Sequence, residues 1–368
     1  ARYEIVQEKD IGEIIKGSVG YTQDKVFDPL ADQFERRTYG AGTSNAINYR
    51  LFIPDTTTYT QTKDGYPLGL WLHGAGERGT DNHAQISANR VTAWIEKDAQ
   101  DIFGGAFIMA PQNHSPAKTL AALEEVLAEF DGASGRPKVD RSRIYIGGCS
   151  MGGSGTWNTI LAAPNMFAAA FPICAASTPS EDQLRSLVNL PIWLIHSVSD
   201  NTCNVSFSLD AYDRLKNVGS NDVHMTLFSE VAFETCPAEM RPFLGHWSWV
   251  YVHNNFPYEY ANKFILYNND GTGVNFTSYQ GTEYTGITSE LPADYDYGTF
   301  MQWLAAQIKC DGKFDIETSC LDFGQLVTKV HINLDNALDE EVTAEQVKES
   351  FSVVVSNFNR NFYGTVFS

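Results

Sequence analysis

The sequence predicts an α/β fold: a mostly parallel, doubly wound sheet with helices on both faces, a cap-like insertion and a small C-terminal β appendage. Three observations carry that expectation. Short, almost wholly apolar runs recur, as in strands buried on both faces of a parallel sheet. Segments of helical periodicity separate them, so that strand and helix alternate. One apolar run, Arg143-Ile-Tyr-Ile-Gly-Gly-Cys149, breaks into glycines around Ser150 and resumes as a helix.

In chain order, residues 1–40 are mixed and weakly periodic and read as an N-terminal extension. Residues 48–54 alternate polar and apolar side chains before Pro54, a strand with a stop. Pro67-Leu-Gly-Leu-Trp-Leu-His73 is the next strand; it ends in Gly74-Ala-Gly-Glu-Arg-Gly-Thr-Asp-Asn82, a loop whose backbone amides can be left free. Residues 106–112 form a buried strand, and Leu120, Leu123, Val126 and Leu127 recur behind it at helical spacing. A turn over 131–137 leads to strand 143–146 and, after Ser150, a helix to 163. Strands over 166–175 and 191–196 flank a short helix near 184–188, an amphipathic helix covers 207–218, and 224–229 is the last core strand.

Over 251–297 the periodicity dissolves into Tyr, Asn, Gly and Thr, a length that suits a lid or binding loop. It reads as a cap inserted in a domain spanning 41–310, closed by a helix over 299–309 with Phe300, Trp303, Leu304 and Ile308 on one stripe. Residues 311–368 form a β-rich appendage or truncated sandwich module, with strands at 326–333 and 351–355 and a capping box at Thr343-Ala-Glu-Gln346.

A net charge of −19 excludes nucleic acid as a natural partner, because phosphate binding needs clustered Lys and Arg. No run of eighteen apolar residues predicts a membrane span. The chain opens at Ala1 with no basic-then-apolar leader, as expected of a mature or recombinant segment of a secreted or periplasmic protein. Among six cysteines, Cys149 and Cys174 fall in apolar runs as buried thiols, while Cys203 with Cys236 and Cys310 with Cys320 are candidate disulfides.

Gly148, Ser150 and Gly152 fill the GxSxG pattern, in which a serine on a tight strand-to-helix turn is tolerated only between residues without colliding side chains. An activated serine needs a base, an orienter for the base and oxyanion donors. Asp200, in the loop after strand 191–196, is the candidate acid; Asp210 and Asp213 lie in the following helix and are worse placed. His246, in Gly245-His-Trp-Ser-Trp249, is the candidate base, with His253 as its rival. His73, His196 and His224 belong to strands or their ends and read as core or hydrogen-bonded histidines. The backbone amides of Ala75 and Met151 are the candidate oxyanion hole, with Glu77, Arg78, Asp81 and Asn82 bracing the first of these loops. Trp157, Trp247 and Trp249 are candidate substrate-binding residues. No HExxH, EF-hand or Walker motif occurs, so no catalytic metal, nucleotide or other cofactor is expected.

The loop His73-Gly-Ala-Gly-Glu-Arg-Gly-Thr-Asp-Asn82, Ala110-Pro-Gln112, Arg143-Ile-Tyr-Ile146 and Gly148-Cys-Ser-Met-Gly-Gly-Ser-Gly-Thr-Trp157 together resemble the esterase and peptidase branch of the α/β-hydrolases, akin to feruloyl esterases and polyhydroxybutyrate depolymerases. The resemblance covers residues 48–309. It implies a cofactor-free serine hydrolase with Ser150, Asp200 and His246 as its triad, acting on small-molecule or polysaccharide-linked esters. Feruloyl or other plant-polysaccharide esters lead as substrates, with peptides and polyesters as alternatives; a carbohydrate-binding protein on a hydrolase scaffold is the alternative of another class. The chain departs from the family's pattern at Ser197, where relatives often have glycine, and in the length of 251–297.

Overall fold

The computed structural model describes residues 29–220, 222–232, 244–267, 273–276, 278–279, 282–283, 297–309, 313–321 and 324–333. The chain divides into two compact units, Ala1–Lys309 and Cys310–Ser368. The first carries a sheet of ten strands: β1 (Glu35–Tyr39), β2 (Ile47–Phe52), β3 (Tyr66–Leu72), β4 (Phe107–Pro111), β5 (Val139–Cys149), β6 (Ala169–Ile173), β7 (Ile192–Ser197), β8 (Val223–Phe228), β9 (Lys263–Tyr267) and β10 (Gly273–Phe276). Their order is β1-β2-β4-β3-β5-β6-β7-β8-β9-β10. Pairing is parallel from β4 to β9, with antiparallel β1, β2 and β10 at the edges.

The central strands look uniformly apolar because both faces are buried. Leu70, Leu72, Ile144, Ile146 and Leu194 enter one core; Trp71, Tyr145, Trp193 and Ile195, one residue out of phase, enter the other. Helix α1 (Pro116–Glu129) covers the first face with Thr119, Ala122, Leu123, Val126 and Leu127, the spacing of an amphipathic stripe, and Pro116 suits its first turn. Helices α2 (Met151–Ala162) and α3 (Ser206–Asn217) join that core through Trp157, Ile160, Ala211 and Leu215. Helix α4 (Phe300–Ala306) packs on the other face, and its Thr299 cap accepts a hydrogen bond from the Gln302 N–H.

Several sequence expectations shift. The end of the presumed extension is β1, paired along its length with β2. Residues 224–229 are not the last strand, because β9 and β10 extend the sheet within the stretch read as a cap. Ile308 leaves the helical stripe: α4 stops at Ala306, Gln307 turns extended, and Ile308 is 65% exposed. In the second unit Lys313–Leu321 pairs antiparallel with Gly324–Asn333. The first of these strands adds to the sequence expectation: Phe314, Ile316 and Cys320 keep a period of two along it, and the register shift at Glu317/Thr318 leaves the extra residue, Thr328, on its partner. Residues 1–28 of the extension, the capping box at 343–346, strand 351–355, Cys236 and Cys310 lie outside the described residues. Among the described residues no helix is long and apolar enough to cross a membrane.

The strand order reverses at β3, whose neighbours β4 and β5 both follow it in the chain. Crevices for ligands open at such switch points, beyond the carboxyl ends of the strands. The second core is anchored by Trp193 near the start of β7, with Phe256, Tyr258, Phe300 and Trp303 around it at centroid distances of 5.4, 5.6, 5.3 and 5.0 Å. Its indole N–H donates to Thr226 Oγ1 at 2.9 Å. Replacing this fully buried ring opens a cavity among rigid neighbours and leaves the Thr226 hydroxyl with the Tyr260 carbonyl at 2.9 Å but without its indole donor. Trp193→Ala is therefore expected to lower unfolding free energy by about 3–5 kcal/mol in urea titration; a loss below about 1 kcal/mol would show that the aromatic layer repacks.

Candidate active site

The carboxyl ends of β3, β5 and β7 and the segment after β8 converge on one cavity of about 580 Å³. Ser150 stands between β5 and α2 with φ 59° and ψ −117°, a left-handed backbone held by its N–H to the Ile173 carbonyl at 2.9 Å. Such a conformation is strained for a residue with a side chain and persists only where the surroundings enforce it. A Cβ at Gly152 would overlap the Leu72 carbonyl, so the helix can start this close to β3 only with glycine there. Met151 is the first residue of α2, and its N–H has no intrahelical acceptor.

Opposite it runs the loop after β3. Ala75–Glu77 forms a short 3-10 turn whose Gly74, Ala75, Gly76 and Glu77 border the cavity. The loop is tied down from the end of β4: Gln112 donates to the Glu77 carbonyl at 3.1 Å and to Asp81 at 2.9 Å, and accepts the Asn82 N–H at 2.8 Å. Asn113 exchanges two hydrogen bonds with Gly79. Asp81 also accepts the His83 and Ala84 N–H groups, and Asn82 donates to the carbonyls of Tyr49 and Arg37. Bracing thus falls to Asp81, Asn82, Gln112 and Asn113. Arg78 is exposed, and Glu77 turns towards the cavity, where burial raises its carboxyl against the pull of its own N–H, the Gly74 N–H and Asn89.

Asp200 follows β7 with its carboxylate fully buried. One oxygen accepts the N–H groups of Thr202 and Cys203 at 2.7 and 2.9 Å. The other meets His246 Nδ1 at 2.7 Å and His196 Nε2 at 3.2 Å. Burial opposes ionisation, but His196, His246 and the two amides outweigh it and hold the group well below the usual carboxylate range. His246 lies on the 3-10 turn Gly245–Trp247, and Gly245 touches the Ser199 backbone so closely that any side chain there would push the turn off the acid loop. With Nδ1 on the acid, Nε2 is the nitrogen left for Ser150, which borders the same cavity. Among the described residues the hydroxyl itself contacts Cys203 Sγ at 4.0 Å.

The structure therefore brings Ser150, Asp200, His246 and Ala75 together, with Met151 next in chain, and separates others from them. His253 reaches the cavity wall, but its buried ring is engaged elsewhere: it accepts the Trp94 indole N–H at 2.9 Å and lies tilted against Trp71 at 4.6 Å. Trp157 is 1% exposed and absent from the lining; it sits on the face of α2 turned to the sheet and α1. Trp247 and Trp249 do line the cavity, and Trp249 stands edge to face on His246 at 5.7 Å. Cys203 is a free thiol and not half of a disulfide. His196 is the buried, hydrogen-bonded histidine that its place at a strand end predicts, with Nδ1 meeting Ser208 Oγ at 2.8 Å and Nε2 also facing the Cys203 carbonyl at 3.1 Å; its contact with Asp200 is what the sequence reading did not include. Its signal is the unusual histidine at the end of an apolar strand, four residues before an aspartate.

The phospholipase/carboxylesterase family matches residues 109–250, a span that holds Ser150, Asp200 and His246. Among solved structures, a thermostable esterase is 31% identical with a TM-score of 0.51, over 62% of this chain and 61% of its own. A ferulic acid esterase is 17% identical (TM-score 0.41; 53% of this chain and 90% of that one). A Pyrococcus horikoshii acylaminoacyl peptidase is also 17% identical (TM-score 0.39; 54% and 37%). No curated protein matches the chain. The fold is that of the α/β-hydrolases.

Two histidines are kept neutral by burial: His73 is held down to about 4 and His253 to about 3, the latter also by Arg90. The unfolded chain binds protons at these positions below about pH 6.5 and the folded chain does not, so stability is full above that pH and declines as pH falls towards 4. At pH 5 each histidine removes about 2 kcal/mol. His253→Gln, which retains an acceptor for Trp94, is expected to flatten the decline between pH 7 and 5 by about 2 kcal/mol in urea unfolding; an unchanged slope would place the proton uptake elsewhere.

Proposed function

We propose that this chain, an α/β-hydrolase of the esterase and peptidase branch, is a serine carboxylic ester hydrolase that works through an acyl-enzyme. The observation that carries the reading is the 2.7 Å contact of His246 Nδ1 with the buried, ionised Asp200, beside a cavity that Ser150 shares.

Ser150 Oγ attacks the ester carbonyl carbon and its proton passes to His246 Nε2. Asp200 holds the Nδ1–H tautomer and stabilises the imidazolium. The carbonyl oxygen becomes an oxyanion held by the Ala75 and Met151 amides, the second strengthened by the positive end of α2. Collapse breaks the C–O bond, and the leaving alkoxide takes the proton from Nε2. Water then enters, gives its proton to His246 and attacks the acyl carbon, and the acid leaves as Ser150 regains its proton. His196 acts through Asp200: its Nε2–H occupies part of the same oxygen and keeps the carboxylate from rotating away from His246.

The substrate class we favour is an aryl acid ester, feruloyl or another plant-polysaccharide ester. Trp247 and Trp249, with ring centroids 6.4 Å apart at the cavity, offer faces for an aromatic acyl group or a sugar ring. Peptide and polyester turnover are the competing outcomes of a panel of methyl ferulate, acetylated xylan, tributyrin and peptides.

On a p-nitrophenyl ester, Ser150→Ala is expected to lower kcat about a million-fold and Asp200→Asn about ten-thousand-fold, with the fold retained by circular dichroism. Activity of Ser150→Ala equal to wild type would reject the triad. Trp247→Ala is expected to raise KM for methyl ferulate by about tenfold, the worth of one aromatic contact, with little change for a short acetyl ester; equal effects on both would remove the ring from recognition.

A further inference from the structure

Cys174 lies directly after β6 with its thiol wholly buried and a positive φ of 38°. It has no part in the hydrolytic scheme. Yet its sulfur, a carboxylate oxygen of Asp200 and a nitrogen of His246 all lie within 4.8 Å of one another. Thiolate, imidazole and carboxylate form a ligand set suited to Zn²⁺.

We propose that these three side chains form an inhibitory site for Zn²⁺ and similar soft divalent cations, one that switches the enzyme off by taking over the histidine. The inference rests on the esterase reading for its consequence but not for the binding itself.

Zinc–ligand bonds of about 2.0–2.3 Å set tetrahedral donor atoms roughly 3.3–3.6 Å apart. The Asp200 to His246 contact of 2.7 Å would have to open by about half an ångström or more, and the sulfur to close by up to about an ångström, with water as fourth ligand. His246 has the freedom for this, as its side chain is 13% exposed at the cavity, which is also the cation's way in.

The proton balance states the effect. Binding removes the S–H proton of Cys174 to solvent, one proton per cation. The Nδ1 proton of His246 moves to Nε2, because Nδ1 now gives its lone pair to the metal. Asp200 is already ionised. Two negative ligands then neutralise the dication, which limits the cost of burying it. With Nε2 protonated, His246 is a donor only and can no longer take the proton of Ser150.

The test uses the full chain with Zn²⁺ in a chelating buffer and p-nitrophenyl ester turnover. Wild type is expected to lose activity reversibly, with recovery on EDTA. Cys174→Ala and Cys174→Ser are expected to keep kcat/KM without metal and to need at least about tenfold more Zn²⁺, as losing a ligand costs no less than losing an outer-shell partner. Co²⁺ supplies a readout that needs no turnover: a thiolate-to-metal absorption band in wild type, Ser150→Ala and Cys203→Ser, absent in both Cys174 variants. An esterase whose inhibition and Co²⁺ band are indifferent to Cys174 would overturn the site. A band that depends on Cys174 in a protein without ester turnover would keep the site and fail the esterase reading instead.

Discussion

A carboxylate taken out of water loses several kcal/mol of hydration unless fixed donors replace it. Asp200 is buried to this extent, and four donors replace the water: two amides of its own loop, His196 at the end of β7 and His246 from the segment after β8. The remaining candidate machinery depends on that exchange. Two of the donors lock the loop, and the third is itself set by Ser208 on α3. Only then is the fourth, the histidine, drawn to a defined place with one nitrogen spoken for. Removing the carboxylate would leave His246 a partly exposed ring with a choice of tautomers, and Ser150 a strained serine without the fixed base proposed for it.

The parts of this arrangement that were legible in the sequence are those enforced locally. Apolar runs such as those of β3 and β7 can only be buried strands, and a serine among glycines between an apolar run and a helical one marks a tight turn. Chain order then placed an acid and a histidine after later strands. The illegible parts depend on partners distant in the chain. Glu35–Tyr39 has no apolar alternation because an edge strand is defined by its pairing with β2, and Lys263–Tyr267 was absorbed into an aromatic stretch because only β8 identifies it as a strand. Trp157 shows the same limit for side chains. It lies seven residues after Ser150, but on a helix the face turned to the sheet decides the matter, and sequence distance from the serine does not.

Electrostatics divide the site into one ionised acid and several groups held neutral. His73 donates from Nδ1 to the Gly74 carbonyl and accepts the Asn113 N–H at Nε2, a pairing that only the neutral ring can make. His253 likewise accepts from Trp94. Had either been charged, its field would add to that of the imidazolium proposed to form at His246 and raise the cost of the proposed proton transfer from Ser150. In a chain with a net charge of −19 the cavity is thus set by local burial more than by overall charge.

The loop after β3 completes the logic. Oxyanion donors help most when they already point at the developing charge, so that no reorganisation is needed during the reaction. Here the loop's polar groups are spent on side chains at the end of β4: Gln112 takes the Glu77 carbonyl and the Asn82 amide, and Asn113 takes both backbone groups of Gly79. Asp81 closes the far end of the loop against the amides of His83 and Ala84. A loop satisfied along its length by fixed side chains has little freedom to turn its leading edge elsewhere. The amides that edge carries at the cavity, beginning with Ala75, are therefore placed by the strand behind them, and the rigidity of the β3–β4 pair becomes the rigidity of the proposed oxyanion hole.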